Sequence, residues 1–396
     1  MPNHIFVAAP LLTLTLALTG GHGDHHSHHD ADASLTIDAV LALPQNRADA
    51  AERRVEEGRS GDGDLVFEVA VRSDRLPEEV FAKNPFTGDG RTILECAHGG
   101  FAYDHRAGRG EVYWALQGAG VLRVSADHTV VELLDGAAEL AQFNLHNATF
   151  FEHGGAGRIA WPANDGARVF VTDVDGKLVT TIGRPTVEPY ASGADYRPTD
   201  AAYLDGELWI TDGYASKYVM SYDLDANAWT GVVFGGPADG PEPGKFGTNH
   251  GITIRDGLIW IAGRQYARIH SYRPTTEFVD MFAMPEGSKP CDFEFFVLHD
   301  ELYGVAASLN VADGSEDSGA SIYVVEMKTL RIVSTIKPKD ELGLERFVHL
   351  HNVFATVDGN RVSLFCQAWN PGDFAVLSRV VPAADADSER APRDAR

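Results

Sequence analysis

With 396 residues, 44% of them apolar, the chain has material for a large core, which excludes a disordered protein. Its formal charge of −24 excludes the basic footprint that nucleic-acid binding needs and disfavours docking on an anionic membrane. An acidic, solvated surface is expected instead.

Residues 1–21 read as a secretory signal peptide. Ile5 to Leu18 is an apolar run too short to span a bilayer, and small residues follow at Gly20, Gly21 and Gly23. The usual Lys or Arg before the run is replaced by His4. The expectation is an extracytoplasmic protein, periplasmic or secreted, with no membrane insertion beyond a retained signal anchor. Residues 22–64 read as a His-rich and charged linker. His22, His25, His26, His28 and His29 form a tract able to capture zinc or copper loosely, and Glu52 to Gly63 reads as a charged surface loop.

From Leu65 the pattern turns to strands. Leu65 to Val71 is β-rich and precedes the first copy of a short repeated phrase. The copies are Ala97-His98-Gly99-Gly100, Leu145-His146-Asn147-Ala148, Pro198-Thr199-Asp200-Ala201, Asn249-His250-Gly251-Ile252, Pro290-Cys291-Asp292-Phe293 and Leu350-His351-Asn352-Val353. Their second residues are spaced 41 to 60 apart, and each copy runs into strand-like segments joined by glycine turns. Pairs such as Gly206–Tyr214 with Tyr218–Tyr222, and Gly257–Arg264 with Arg268–Tyr272, show the clearest alternation around Asp-Gly turns. A period near 50 residues with several strands per unit predicts an all-β, single-domain, six-bladed β-propeller over 65–382. The Leu65–Val71 strand is expected to close the ring by completing the last blade, because an open ring leaves unpaired edges. Asn310 to Ser321 reads as an acidic loop in blade five, and 383–396 as a disordered tail. Cys96, Cys291 and Cys366 are expected to be free thiols, although a closed ring would bring the first and last into neighbouring blades.

Blades two, four and six carry His146, His250 and His351, which a six-fold ring places 120° apart on the central axis. Three imidazoles with a fourth position open suit zinc or another divalent transition metal. His98 and Cys291 occupy the same phrase position in blades one and five; as a further ligand, a supporting partner or core, core is the default for both. His349 shares a strand face with His351 or bends away from it.

Residues Arg197 to Tyr272 resemble the peptidyl-α-hydroxyglycine α-amidating lyase. The resemblance is carried by Pro198-Thr199-Asp200, Thr211-Asp212-Gly213-Tyr214, Phe234-Gly235, Pro243-Gly244-Lys245-Phe246, the His250 phrase, and Arg264 followed by Arg268-Ile269. Weaker similarity surrounds His146 and His351, so the likeness spans about three quarters of the chain, and its Pro-Thr-Asp and Asp-Gly elements are NHL-like. It implies zinc on His146, His250 and His351, Tyr214 as a base acting on a carbinolamide hydroxyl, and Arg264 holding a carboxylate or developing negative charge. The implied activity is zinc-dependent carbon–nitrogen cleavage of a small-molecule or peptide-derived substrate, releasing an amide and an aldehyde. A cation would have to lower the pKa of Tyr214 from its ordinary value near 10. Gln117-Gly118 stands where the family has an arginine before glycine, so Gln117 would contact substrate without a charge. Asn352 stands where the family has an acidic residue, and the family's cysteine pairs are absent. Two other functions fit the fold: a non-catalytic NHL-type binding module, and a propeller lactonase or other hydrolase. Carboxylate-rich sites of the latter kind suit hard cations, which three imidazoles do not.

Overall fold

The computed structural model describes residues 57–382 apart from 87, 89, 137–139 and 311–318. The His-rich tract, the signal segment and the tail after Pro382 lie outside the described residues, as does most of the acidic loop in blade five.

Six antiparallel sheets make up the fold, in chain order around a ring. Blade one comprises Phe101–Tyr103, Val112–Leu116, Gly120–Val124 and Val131–Leu133. Blades two to five start on Thr149–His153, Asp200–Leu204, Asn249–Arg255 and Glu294–Leu298, each the inner strand of a four-stranded meander. Blade six is made from both ends of the fold. His349–Asp358, Arg361–Trp369 and Asp373–Arg379 are joined by Leu65–Arg72, which pairs antiparallel with Asp373–Arg379. The β-propeller is therefore closed by the strand expected from the sequence.

The fold begins earlier than expected. Arg59–Asp62, read as part of a charged linker, is a fifth strand of blade six, paired with Leu65–Arg72 through a two-residue turn. Its neighbours supply what its composition lacks. Ser60 donates to Glu341 and accepts from the Lys337 amide, while Asp62 Oδ2 accepts from the Thr335 amide of blade five.

Local chemistry explains the hairpins. Both residues of Asp205-Gly206 and of Asp256-Gly257 adopt positive φ, as the tight turn between twisted strands requires. Alternate strand residues then face neighbouring blades, and the apolar core is divided into seams between blades. At the closing seam Trp114 of blade one stacks on Phe374 of blade six, with ring centroids 4.9 Å apart and both side chains buried. Burying an aromatic of this size contributes roughly 2–3 kcal/mol. Buried carboxylates lace the seams as well. Asp200 accepts from the amides of Ala201 and of Ile252 in blade four, and Asp292 from those of Ala307 and of Val353 in blade six. All three cysteines are free. No helix among the described residues is long and apolar enough to cross a membrane.

Candidate metal centre

Every inner strand begins at the same end of the central channel, and the phrase residues converge there. The rings of His146, His250 and His351 form a triangle with centroids 4.6, 4.7 and 4.8 Å apart. His98 stands against the His146–His351 edge, 4.7 Å from the first ring and 4.2 Å from the second. Three histidines lie close enough to bind a metal ion: one ligand nitrogen each from His98, His146 and His351 fall within 4.8 Å of one another. The expectation of His98 as core is thus corrected. Its phrase position in blade one puts it in the cluster, with Asn144 bonded to its Nδ1 and Trp369 beside it. Cys291 is buried, but its thiol meets the Arg264 guanidinium and its carbonyl takes part in the site.

Backbone carbonyls set the tautomers. His146 Nδ1 lies 2.7 Å from the Thr199 carbonyl, and His250 Nδ1 lies 2.6 Å from that of Cys291. A carbonyl can only accept, so both Nδ1 atoms carry protons and both Nε2 atoms present lone pairs. In each case the acceptor is the phrase residue of the next blade. The pattern breaks at His351, whose two ring nitrogens are buried without a partner among the described residues.

Tyr214 reaches into this group. Its hydroxyl is 2.9 Å from His146 Nε2 and 2.9 Å from His250 Nε2, and it accepts from Arg264 Nη1 at 3.2 Å. The loop carrying it is fastened by Asp212, which accepts from the Tyr190 hydroxyl and from the amides of Arg197 and Ser216. Only glycine fits between Asp212 and Tyr214, because a Cβ on Gly213 would lie 2.5 Å from the Asn249 carbonyl oxygen. Arg264 follows the second strand of blade four, Leu258–Gly263, and its amide bonds the Thr248 carbonyl beside the His250 strand.

The protons do not suffice for these contacts. Tyr214 has one proton to offer two facing lone pairs, and Arg264 already donates to its oxygen. Protonating an imidazole would supply another, but burial first, and neighbouring positive groups second, hold His146 and His250 well below the usual histidine range. Burial and Arg264 likewise lower His98 to about 3, and burial again depresses His351. Neutral imidazoles with converging lone pairs are the form that ligates a metal. The Nδ1–carbonyl bonds of His146 and His250 are the usual outer support of such ligands. The donor set fits a borderline transition metal.

The remaining expectations divide. Tyr214 is pushed up to about 12 by burial, with Arg264 pulling the other way, so the chain's own groups do not make it the acidified phenol the resemblance implies. Gln117 is half-buried and donates to the Gln142 carbonyl at 3.2 Å, not to the imidazoles. His349 turns away, its Nδ1 bonded to the Leu309 carbonyl. The carbonyls of Thr199 and Cys291 left no signal in the sequence, since every residue has one; their phrase position was the sole hint.

No family model and no curated protein matches the sequence. Among solved structures, the chain is similar to a gluconolactonase of Xanthomonas campestris, at 15% identity and a TM-score of 0.47 over 84% of this chain and 99% of that one. It is also similar to BBS1N in complex with ARL6DN, at 10% identity and a TM-score of 0.41 over 69% and 76%.

Proposed function

We propose that this chain is an extracytoplasmic metal-binding propeller whose axial imidazoles hold one zinc or other divalent transition-metal ion. His146 and His351 are the shared ligands, with His250 and His98 completing the cage on either side. The observation that carries this reading is the excess of lone pairs over protons at one buried point: the Nε2 atoms of His146 and His250 and the unpartnered nitrogens of His351, with His98 beside them. A cation there satisfies groups that otherwise cost about 1–3 kcal/mol each. The N-terminal His-rich tract matches the same metal chemistry and would gather ions for the cage.

Metal analysis of the full chain beside His351→Ala tests this. One equivalent of zinc or a similar ion should disappear in the variant, whatever the N-terminal tract retains. Equal metal content in the two proteins would remove the axial site.

A second reading, zinc-dependent carbon–nitrogen lyase, is favoured by Tyr214 and Arg264. Arg264 lies over the phenol, its guanidinium carbon 5.1 Å from the ring centre, and donates to the phenol oxygen. A bound metal would supply the charge that favours phenolate. Tyr214 would then take the hydroxyl proton of a carbinolamide. The carbonyl forms, the C–N bond breaks, and the nitrogen leaves as the amide after gaining a proton. Arg264 would hold a carboxylate of the small-molecule or peptide-derived substrate. Turnover of an N-acyl-α-hydroxyglycine to glyoxylate, falling roughly 10²–10⁴-fold in Tyr214→Phe with metal retained, would support this reading. A metal-loaded wild-type chain producing no glyoxylate leaves the metal-binding reading alone.

A further inference from the structure

The inner strands run from the imidazole cluster to the opposite mouth of the channel, four or five residues further on, which is roughly 15 Å. There they enclose a cavity of about 450 Å³, lined by residues of all six blades. This volume suits a small organic molecule.

Two carboxylates line that cavity, exposed Glu152 and half-buried Glu294. Glu294, on the inner strand of blade five, accepts from the Thr253 hydroxyl at 2.8 Å. The two buried aspartates above it differ, because backbone amides from two blades occupy each of their carboxylates. Among the described residues, burial and the Thr253 bond are what perturb Glu294. The walls are aromatic. Tyr103 and Phe354 pack with ring centroids 6.0 Å apart, and Phe150 and Tyr203 face the space from blades two and three. The rim already shows this chemistry in use: the Arg106 guanidinium lies 5.3 Å from the centre of the Phe150 ring while bonded to buried Asp104.

A half-buried carboxylate in an aromatic-walled cavity fits one class of ligand. We propose that the far mouth of the channel binds a small organic ammonium ion, its charge met by Glu294 and its apolar part by the faces of Tyr103, Phe150 and Phe354. Aromatic faces attract ammonium groups, and a half-buried carboxylate adds a charge-assisted hydrogen bond. A hard metal ion fits less well, since calcium needs six to eight oxygen ligands and aromatic rings take up much of these walls. The inference is independent of the imidazole cluster.

Calorimetric titration of the full chain with benzylammonium, beside neutral benzyl alcohol, tests it. Saturable binding of one benzylammonium is expected, with benzyl alcohol at least tenfold weaker. Glu294→Gln should weaken the amine about tenfold or more, and Phe354→Leu several-fold, while circular dichroism shows both variants folded. Should Glu294→Gln fail to fold, the amine-against-alcohol comparison on the unaltered chain decides alone. Equal affinity for amine and alcohol overturns the proposal, as does undiminished amine binding in folded Glu294→Gln. Heat from calcium with none from the amine overturns it in favour of a metal site.

Discussion

The two ends of the central channel are built from the same six strands, yet they collect opposite chemistry. At the entry, phrase residues supply neutral nitrogens whose protons point outward to carbonyls, leaving lone pairs on the axis. At the far mouth, residues three positions further along supply Glu294, Thr253 and Phe354 among aromatic neighbours. Burial acts on both ends in the same sense, because it disfavours charge of either sign. It strips protons from the histidines and adds one to the glutamate. Burial thus suits one end to a transition metal, and leaves at the other a carboxylate whose charged form an ammonium ion would restore. A repeat fixes position along the axis, and the side chain chosen at each blade fixes the chemistry.

The largest expected effect breaks the imidazole end. Structural zinc sites bind with roughly 10–16 kcal/mol shared among four ligands, so losing one costs about 3–4 kcal/mol. His146→Ala and His351→Ala should therefore each weaken metal binding by some 10²–10³-fold in a competitive chelator titration, with benzylammonium binding unchanged. Loss of both activities in either variant would mean that the two ends are not separate sites.

A smaller effect sharpens which imidazoles matter. His98 and His250 stand on opposite sides of the shared His146–His351 edge. His250→Ala and His98→Ala should each lower affinity about 10–100-fold, a range typical of partners that support a metal without being its sole anchors. A loss confined to His250→Ala would return the site to the three histidines of alternate blades. A loss confined to His98→Ala would move it to the neighbouring triangle.

These variants also mark how far the sequence could be read. The phrase around His98, His146, Thr199, His250, Cys291 and His351 sits at one level in every blade, so its spacing disclosed both the fold and the convergence of the histidines. Leu65–Arg72 was legible because β-rich residues occupy it. Arg59–Asp62 was not, since Arg, Ser, Gly and Asp carry no strand preference and its pairing is enforced by side-chain bonds to blade five. The rank of His98 could not be read either. Nothing in Ala97-His98-Gly99-Gly100 distinguishes a ligand from a core histidine until Asn144 and Trp369 are placed around it. The tautomer-setting carbonyls belong to the backbone and have no sequence signature at all.

The smallest effect tests the carboxylate end through pH. Burial raises Glu294 from its ordinary 4.5 to about 7, with the Thr253 bond opposing. Between those values the folded chain holds a proton that the unfolded chain has lost, so this group's stabilising contribution is full below about pH 4.5. It is lost as pH rises through 7. A shift of this size corresponds to at most about 3 kcal/mol, and relaxation of a partly exposed side chain should bring the measured value to about 1–2 kcal/mol. Glu294→Gln removes the ionisation, so the variant should gain on the unaltered chain in urea unfolding as pH moves from 5 to 7.5. Asp200 and Asp292 are raised by burial as well and stay in both proteins, so the difference between the two chains isolates Glu294. Benzylammonium should reverse the trend, because it stabilises the ionised form that burial disfavours. Parallel pH profiles for the two chains would show that Glu294 is already solvated in the folded state. Its mouth of the channel would then lack the desolvated charge that sets it apart from the imidazole end.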